Sequence, residues 1–165
     1  MCKECKSGRC RVRILFGTLA SLAILTAPVL AADVAPPKVD RFRAYLIYED
    51  TGELSKNLAK TDDQIVANND KGTSVQMIVD VVLSGKPNQL YESNPVLRVS
   101  ARSDLDDIGT LVEKDYPLVF FAKDELVRTV VVDHACNGFT INAAIIDGGE
   151  KVSELSKTFS ITCGD

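Results

Sequence analysis

The sequence predicts an all-β protein, an antiparallel β-sandwich of about seven to eight strands with little helix. Short segments carry apolar residues at every second position, and clusters of glycine, asparagine and aspartate separate these segments. No long stretch after residue 40 has the apolar spacing of an amphipathic helix. The 165-residue chain is long enough for one domain with its own core.

The strand signal is clearest over residues 73–83, where one face carries every apolar position, namely Val75, Met77, Val79, Val81 and Leu83. Similar signals predict strands over residues 42–48, 64–67, 96–101, 126–132, 139–146 and 152–163, with a brief apolar run at 118–122. Turns are predicted at 50–52, 68–72, 84–88 and 147–149. The acidic stretch 103–115 is predicted to contain a short helical turn.

Residues 1–32 are predicted to be a signal peptide. Five cations precede an uncharged run from residue 14 to residue 32, and the run ends in Ala31-Ala32, where we expect cleavage. An extended, proline-containing tail, 33–40, and the sandwich domain, 41–165, follow. The leader predicts an extracytoplasmic bacterial protein, periplasmic or secreted. A retained membrane anchor is the alternative, because an uncharged run of this length approaches the ~20 residues that span a bilayer.

Five cysteines are present, and cleavage would remove Cys2, Cys5 and Cys10. Cys136 and Cys163 remain, and two thiols in an exported domain most often form one disulfide. We therefore predict a Cys136–Cys163 bond at the open end of the last hairpin, with two unpaired thiols as the alternative.

The apolar faces of that hairpin match if Phe139 lies opposite Ile161. This register leaves one residue of irregularity between the cysteines, which Asn137-Gly138 can absorb because both residue types tolerate positive φ.

The charge of the chain argues against nucleic acid as a partner. Residues 33–165 hold 14 basic and 22 acidic side chains, a net charge of −8. An acidic body repels a phosphate backbone. Contact with a membrane is expected only if the N-terminal segment is retained.

The acidic stretch offers a candidate calcium site. Counted as a calcium-binding loop, Asp104, Asp106 and Asp115 fall at ligand positions and Asp107 adds a carboxylate, whereas Ile108 occupies a ligand position that it cannot serve. We expect no cofactor, with Ca²⁺ as the alternative. A solvated acidic loop explains the same residues.

No catalytic constellation is evident, and we expect no enzymatic activity. His134 is the only histidine, and it has no sequence motif that supplies a nucleophile. The chain has no phosphate-binding glycine loop and no metalloprotease or hydrolase signature.

The strand spacing over residues 41–165 resembles that of immunoglobulin-like and fibronectin-III-like domains found outside the cytoplasm. The buried Trp of immunoglobulin domains and their inter-sheet disulfide spacing are both absent. The resemblance implies a non-enzymatic binding or accessory module that contacts an unidentified protein partner through loops 84–95 and 103–117 or through an edge strand.

Two further functions stay open. One is a small Ca²⁺-binding or enzymatic periplasmic protein that uses the 104–115 acidic loop or His134, for which a calcium-dependent rise in melting temperature is the test. The other is a membrane-anchored structural subunit, which requires an uncleaved N-terminus.

Overall fold

A computed structural model of the protein describes residues 35–89, 91–105, 107–133 and 137–163. These residues form nine strands and a three-residue 3-10 helix, Leu58–Lys60. The strands are β1 (Lys38–Ile47), β2 (Ile65–Val66), β3 (Gln76–Ser84), β4 (Val96–Ser103), β5 (Thr110–Pro117), β6 (Glu125–Asp133), β7 (Phe139–Asp147), β8 (Glu150–Phe159) and β9 (Ile161–Thr162). The predicted leader lies outside the described residues. β1 begins inside the segment predicted as an extended tail.

The seven long strands form two antiparallel sheets. One has the order β1-β3-β6, and the other has the order β5-β4-β7-β8. The short strands β2 and β9 pair with each other in parallel. β1 and β6 are thus the edges of the first sheet, and β5 and β8 are the edges of the second.

A single core lies between the two sheets, and alternation along the strands builds it. In β3 the predicted face, Met77, Val79, Val81 and Leu83, is buried, and Val82 on the other face is buried as well, whereas Val75 precedes the strand and is exposed. In β7 the inward set is Phe139, Ile141, Ala143 and Ile145. The all-β prediction is confirmed, and the packed sheets are compatible with a β-sandwich.

The last hairpin turns where the sequence predicts. Asp147 lies opposite Glu150 across Gly148 and Gly149, which both have positive φ, as a two-residue type I′ turn requires. The predicted register is wrong, since Phe139 lies opposite Phe159.

The irregularity in this hairpin lies next to the turn. The register shifts between Ile145 and Ile146, so Val152 of β8 has no partner in the ladder. Asn137 and Gly138 do adopt positive φ, as the sequence suggests.

The segment 103–115 differs from the expectation of a helical turn. Its described residues form the end of β4, a tight turn and most of β5. Ser103 donates its backbone N–H to the Gly109 carbonyl at 2.9 Å, which closes the β4–β5 hairpin. Across the described part of the chain, no helix has the length and apolar character needed to cross a bilayer.

Candidate functional site

A cleft of about 610 Å³ opens between the edges of the two sheets. One wall is the first half of β1, the facing wall is the middle of β8, and the 3-10 helix borders one end. The cleft differs from an ordinary surface groove because both walls are strand edges. The direction of their backbone N–H and C=O groups therefore decides what it can bind.

Most of the outward edge of β1 is closed by the segment that follows the strand. Ala44 donates its N–H to Asn57 Oδ1 at 3.0 Å, and Leu46 donates to Ser55 Oγ at 3.0 Å. Tyr48 donates to the Glu53 carbonyl at 3.0 Å. These even-numbered residues therefore point their N–H groups away from β3.

Asn57 has a second role that fixes its side chain in place. Its Oδ1 also accepts the N–H of Ala59 at 3.0 Å, as the N-cap of the 3-10 helix. One amide oxygen thus joins the edge of β1 to the helix that borders the cleft. The position of the helix depends on this contact.

Phe42 occupies the part of the β1 edge that these contacts leave open. Its N–H points outward like that of Ala44, because the register between the two residues is regular. No strand of the described residues pairs with this edge of β1. Toward the start of the strand the edge closes again, where Val39 donates its N–H to Ser153 Oγ at 3.0 Å.

Just beyond the end of β8 the same edge is closed by β2, which pairs with β9. The Ser160 carbonyl accepts from Ile65 at 2.8 Å, and the Thr162 carbonyl accepts from Ala67 at 2.8 Å. The even-numbered carbonyls here therefore point away from β7. By alternation, Ser156 in the middle of β8 also turns its N–H and C=O outward.

Ser156 lines the cleft, and within the described ranges β7 is the one strand that pairs with β8, on the opposite edge. The cleft is therefore bordered by a strand edge on each wall that no further described strand covers, at Phe42 on one side and at Ser156 on the other. Segment 53–67 covers the neighbouring parts of both edges. This arrangement can accept a short extended chain and leaves no room along the edges for a long one.

Basic side chains border the cleft on the outer face of β1. Arg41 contacts Glu125 at 2.7 Å and Arg43 contacts the same carboxylate at 3.3 Å. The Arg41 hydrogen bond holds the pKa of Glu125 below its ordinary value, and the charge of Arg43 adds to the effect. Two guanidinium groups thus share one carboxylate.

Lys157 lies across the cleft from these arginines. Its ammonium group donates to the Thr61 carbonyl at 3.1 Å and pairs with Asp62. The hydrogen bond and the charge of Lys157 lower the pKa of Asp62. Lys157 therefore ties β8 to the chain that follows the 3-10 helix, and it acts as a structural cation of the cleft wall.

The carboxylates predicted for calcium are not brought together within the described residues. Asp104 and Asp107 lie in the β4–β5 turn, Asp106 lies outside the described residues, and Asp115 lies on β5 opposite Arg98. Five residues of strand separate Asp115 from Thr110 at the turn, which is roughly 17 Å of extended chain. No group of three metal-binding side chains occurs in the described ranges.

Asp115 is engaged elsewhere. Both of its oxygens accept hydrogen bonds from Arg98 at 2.9 Å, which holds the pKa of the carboxyl below its usual range. A carboxylate in a two-bond pair with arginine must break that pair before it can ligate a cation.

The other predicted site residues are described only in part. Cys163 is partly buried against the core, whereas Cys136 and His134 lie outside the described residues. Of the two loops expected to carry recognition, the 85–95 segment does connect β3 to β4. The 103–117 segment is largely strand.

The sequence prediction missed the residues of the cleft. Arg41 and Arg43 alternate with buried Phe42 and Ala44, a pattern that places two cations on the exposed face of one strand. No comparable signal marks Lys60, because its position depends on how the chain folds back over the edge of β1. No protein family model matches this chain, and no curated protein matches it.

Proposed function

We propose that this protein is an exported, non-enzymatic binding module that takes an extended segment of a partner protein into the cleft between β1 and β8. One observation carries the proposal. The outward-facing strand edges at Phe42 and Ser156, which no further described strand covers, border the same cleft. Strand addition supplies such groups with main-chain hydrogen bonds, and alternate side chains of the added strand give specificity.

The order of the long strands supports an immunoglobulin-like or fibronectin-III-like sandwich. In the constant-type immunoglobulin fold the first, second, fourth and fifth strands form one sheet and the other three form the second. Here the seven long strands divide in the same way, except that the fourth, β5, lies beside β4. Extracytoplasmic domains of this class act largely through binding, which agrees with the proposed cleft.

The Cys136–Cys163 disulfide belongs to the same proposal. Asn137 donates its N–H to the Ile161 carbonyl at 3.2 Å, beyond the last rung of the β7–β8 ladder. Each cysteine is one or two residues from this contact, and a disulfide joins Cα atoms about 5.5–6 Å apart. The bond would close the open end of the hairpin that forms one wall of the cleft.

Export itself has a direct test. We expect mass spectrometry of the protein recovered from a producing bacterium to give a first residue at Ala32 or Asp33, because the uncharged run ends in small residues there. The cytoplasmic precursor serves as the control. A recovered protein that still starts at Met1 contradicts cleavage and favours the membrane-anchored alternative.

Ser156→Pro tests the binding proposal. Proline removes the outward N–H of Ser156, and an edge strand tolerates proline where the N–H faces away from its ladder. Peptides of about ten residues selected from a random displayed library on the exported protein are expected to lose at least tenfold in affinity for the variant. Calorimetry or fluorescence anisotropy measures the loss.

Val131→Pro is the matched control. Val131 lies on β6, the opposite edge of the same sheet as β1, and the β1–β3–β6 register turns its N–H outward as well. The control is expected to bind the selected peptides like the wild type. If Ser156→Pro does not fold, amide NMR of the wild type replaces it, with the peptide expected to shift the Phe42 and Ser156 signals. Peptides that act elsewhere, or a library that yields none, overturn the proposal.

A further inference from the structure

We propose that the cleft between β1 and β8 selects a segment rich in Glu or Asp, an inference that rests on the proposed function and specifies its partner. The inference is based on a local excess of positive charge on an otherwise acidic domain. Residues 33–165 have a net charge of −8, with 14 basic and 22 acidic side chains. Four of those basic side chains line the cleft, namely Arg41, Arg43, Lys60 and Lys157.

Ion pairs within the chain neutralise some of these four positive charges and leave the others free to bind a ligand. Arg41 and Arg43 share the single carboxylate of Glu125, which leaves one positive charge. Lys157 is compensated by Asp62. Lys60 has no ion-pair partner among the described residues.

The acidic side chains near the cleft do not cancel this excess. Asp40 is the one carboxylate in its lining, and it pairs with Lys38 at 3.2 Å. Glu154 lies on the same edge of β8, but its two oxygens bind Asn142 at 2.7 Å and Lys151 at 2.8 Å. The cleft therefore retains two uncompensated cations.

The positions of these cations suit an extended ligand. Arg43 is on a strand that borders the cleft, and Lys60 is on the helix at its end. Side chains of an added strand alternate in direction, and residues two apart are ~6.6 Å apart on one face. Carboxylates at every second position of the ligand can therefore contact the cations while the ligand backbone forms hydrogen bonds with the strand edge. Nucleic acids and anionic membranes present extended negative surfaces. The domain, with its net charge of −8, repels such surfaces.

Three synthetic peptides of about eight residues test the inference, alternating threonine with glutamate, glutamine or lysine so that only the charge differs. The glutamate peptide is expected to bind the exported protein about five- to tenfold more tightly than the glutamine peptide at low salt, because exposed pairs contribute modestly. The lysine peptide is expected to bind weakest. The preference should shrink between about 20 mM and about 0.5 M NaCl as screening increases.

Lys60→Gln is expected to reduce the glutamate preference by two- to threefold, since it removes one uncompensated cation. Lys114→Gln is the matched control. It makes the same charge change on β5, which is separated from β8 by three strand spacings, about 14 Å. This control is expected to leave the preference unchanged.

The failures of the two proposals are distinguishable. Equal binding of the glutamate and glutamine peptides, with both sensitive to Ser156→Pro, overturns the charge selection and leaves strand addition standing. Binding that depends on charge but not on Ser156→Pro overturns strand addition. Binding of none of the three peptides overturns both.

Discussion

Replacing Phe139 with alanine is expected to lower the free energy of unfolding by about 3–5 kcal/mol. Phe139 is fully buried at the start of β7, and its ring lies 5.2 Å from that of Phe159 on the neighbouring strand. Alanine loses the apolar burial of the ring and leaves a cavity in the core between the two sheets. The surrounding backbone cannot collapse to fill it. Urea denaturation of the two proteins measures the difference.

Phe121→Ala is the control for this substitution. Phe121 has the same side chain but is 75% exposed, in the segment between β5 and β6. The Phe121→Ala substitution is expected to change the free energy of unfolding by no more than about 0.5 kcal/mol. A Phe139→Ala variant as stable as Phe121→Ala would contradict the core described here.

Cys163→Ser is expected to lower the free energy of unfolding by about 3–4 kcal/mol, because the proposed disulfide restricts the unfolded chain over the whole of the last hairpin. For a domain of this size that is a large fraction of net stability. Reduction of the wild-type protein should produce a loss of the same order, measured by urea denaturation with and without reductant.

The variant itself provides the control for the reductant. A Cys163→Ser protein has no bond at this position to break, so reductant is expected to leave its stability unchanged. Peptide mapping without reduction should recover residues 136 and 163 in one linked fragment. Free thiols at both positions, or equal stability with and without reductant, refute the bond.

Strands with one buried face were predictable from the sequence. In β3 and β7 every inward position is apolar, and polar neighbours such as Gln76, Asp80 and Asn142 make the period of two visible in the sequence. Turns were predictable for a similar reason. Gly148 and Gly149 supply the positive φ that a two-residue hairpin needs, and few other residues can.

β5 was missed because it is an edge strand with little buried surface. Val112 is its one buried residue, and its charged residues, Glu113, Lys114 and Asp115, are consecutive. A strand that is hydrogen-bonded to one neighbouring strand needs few apolar side chains. Its sequence pattern therefore looks the same as that of a solvated loop. The predicted register of Phe139 failed for another reason, since Phe159 and Ile161 are both buried apolar residues two apart and apolar matching does not choose between them.

The cleft could not have been predicted from local patterns. It exists because residues 53–67 cross from one sheet edge to the other and close parts of both. Asn57 and Ser55 accept backbone N–H groups from β1. The sequence around them does not distinguish this role from that of an ordinary turn residue. The cations of the cleft come from β1, the 3-10 helix and β8, which the sequence separates widely. Their common location is a result of tertiary structure.

The side-chain caps along β1 also make this one edge a poor template for pairing with another copy of the chain. Fibril growth needs a strand edge that offers hydrogen-bonding groups over about six consecutive residues. The outward amides of Ala44 and Leu46 in β1, and of Tyr48 just after it, are already satisfied within the chain, whereas no described strand covers the edge at Phe42. A surface that short can hold a ligand strand but cannot template an aggregate. The edge is thus closed to self-propagating assembly while it stays open to a partner.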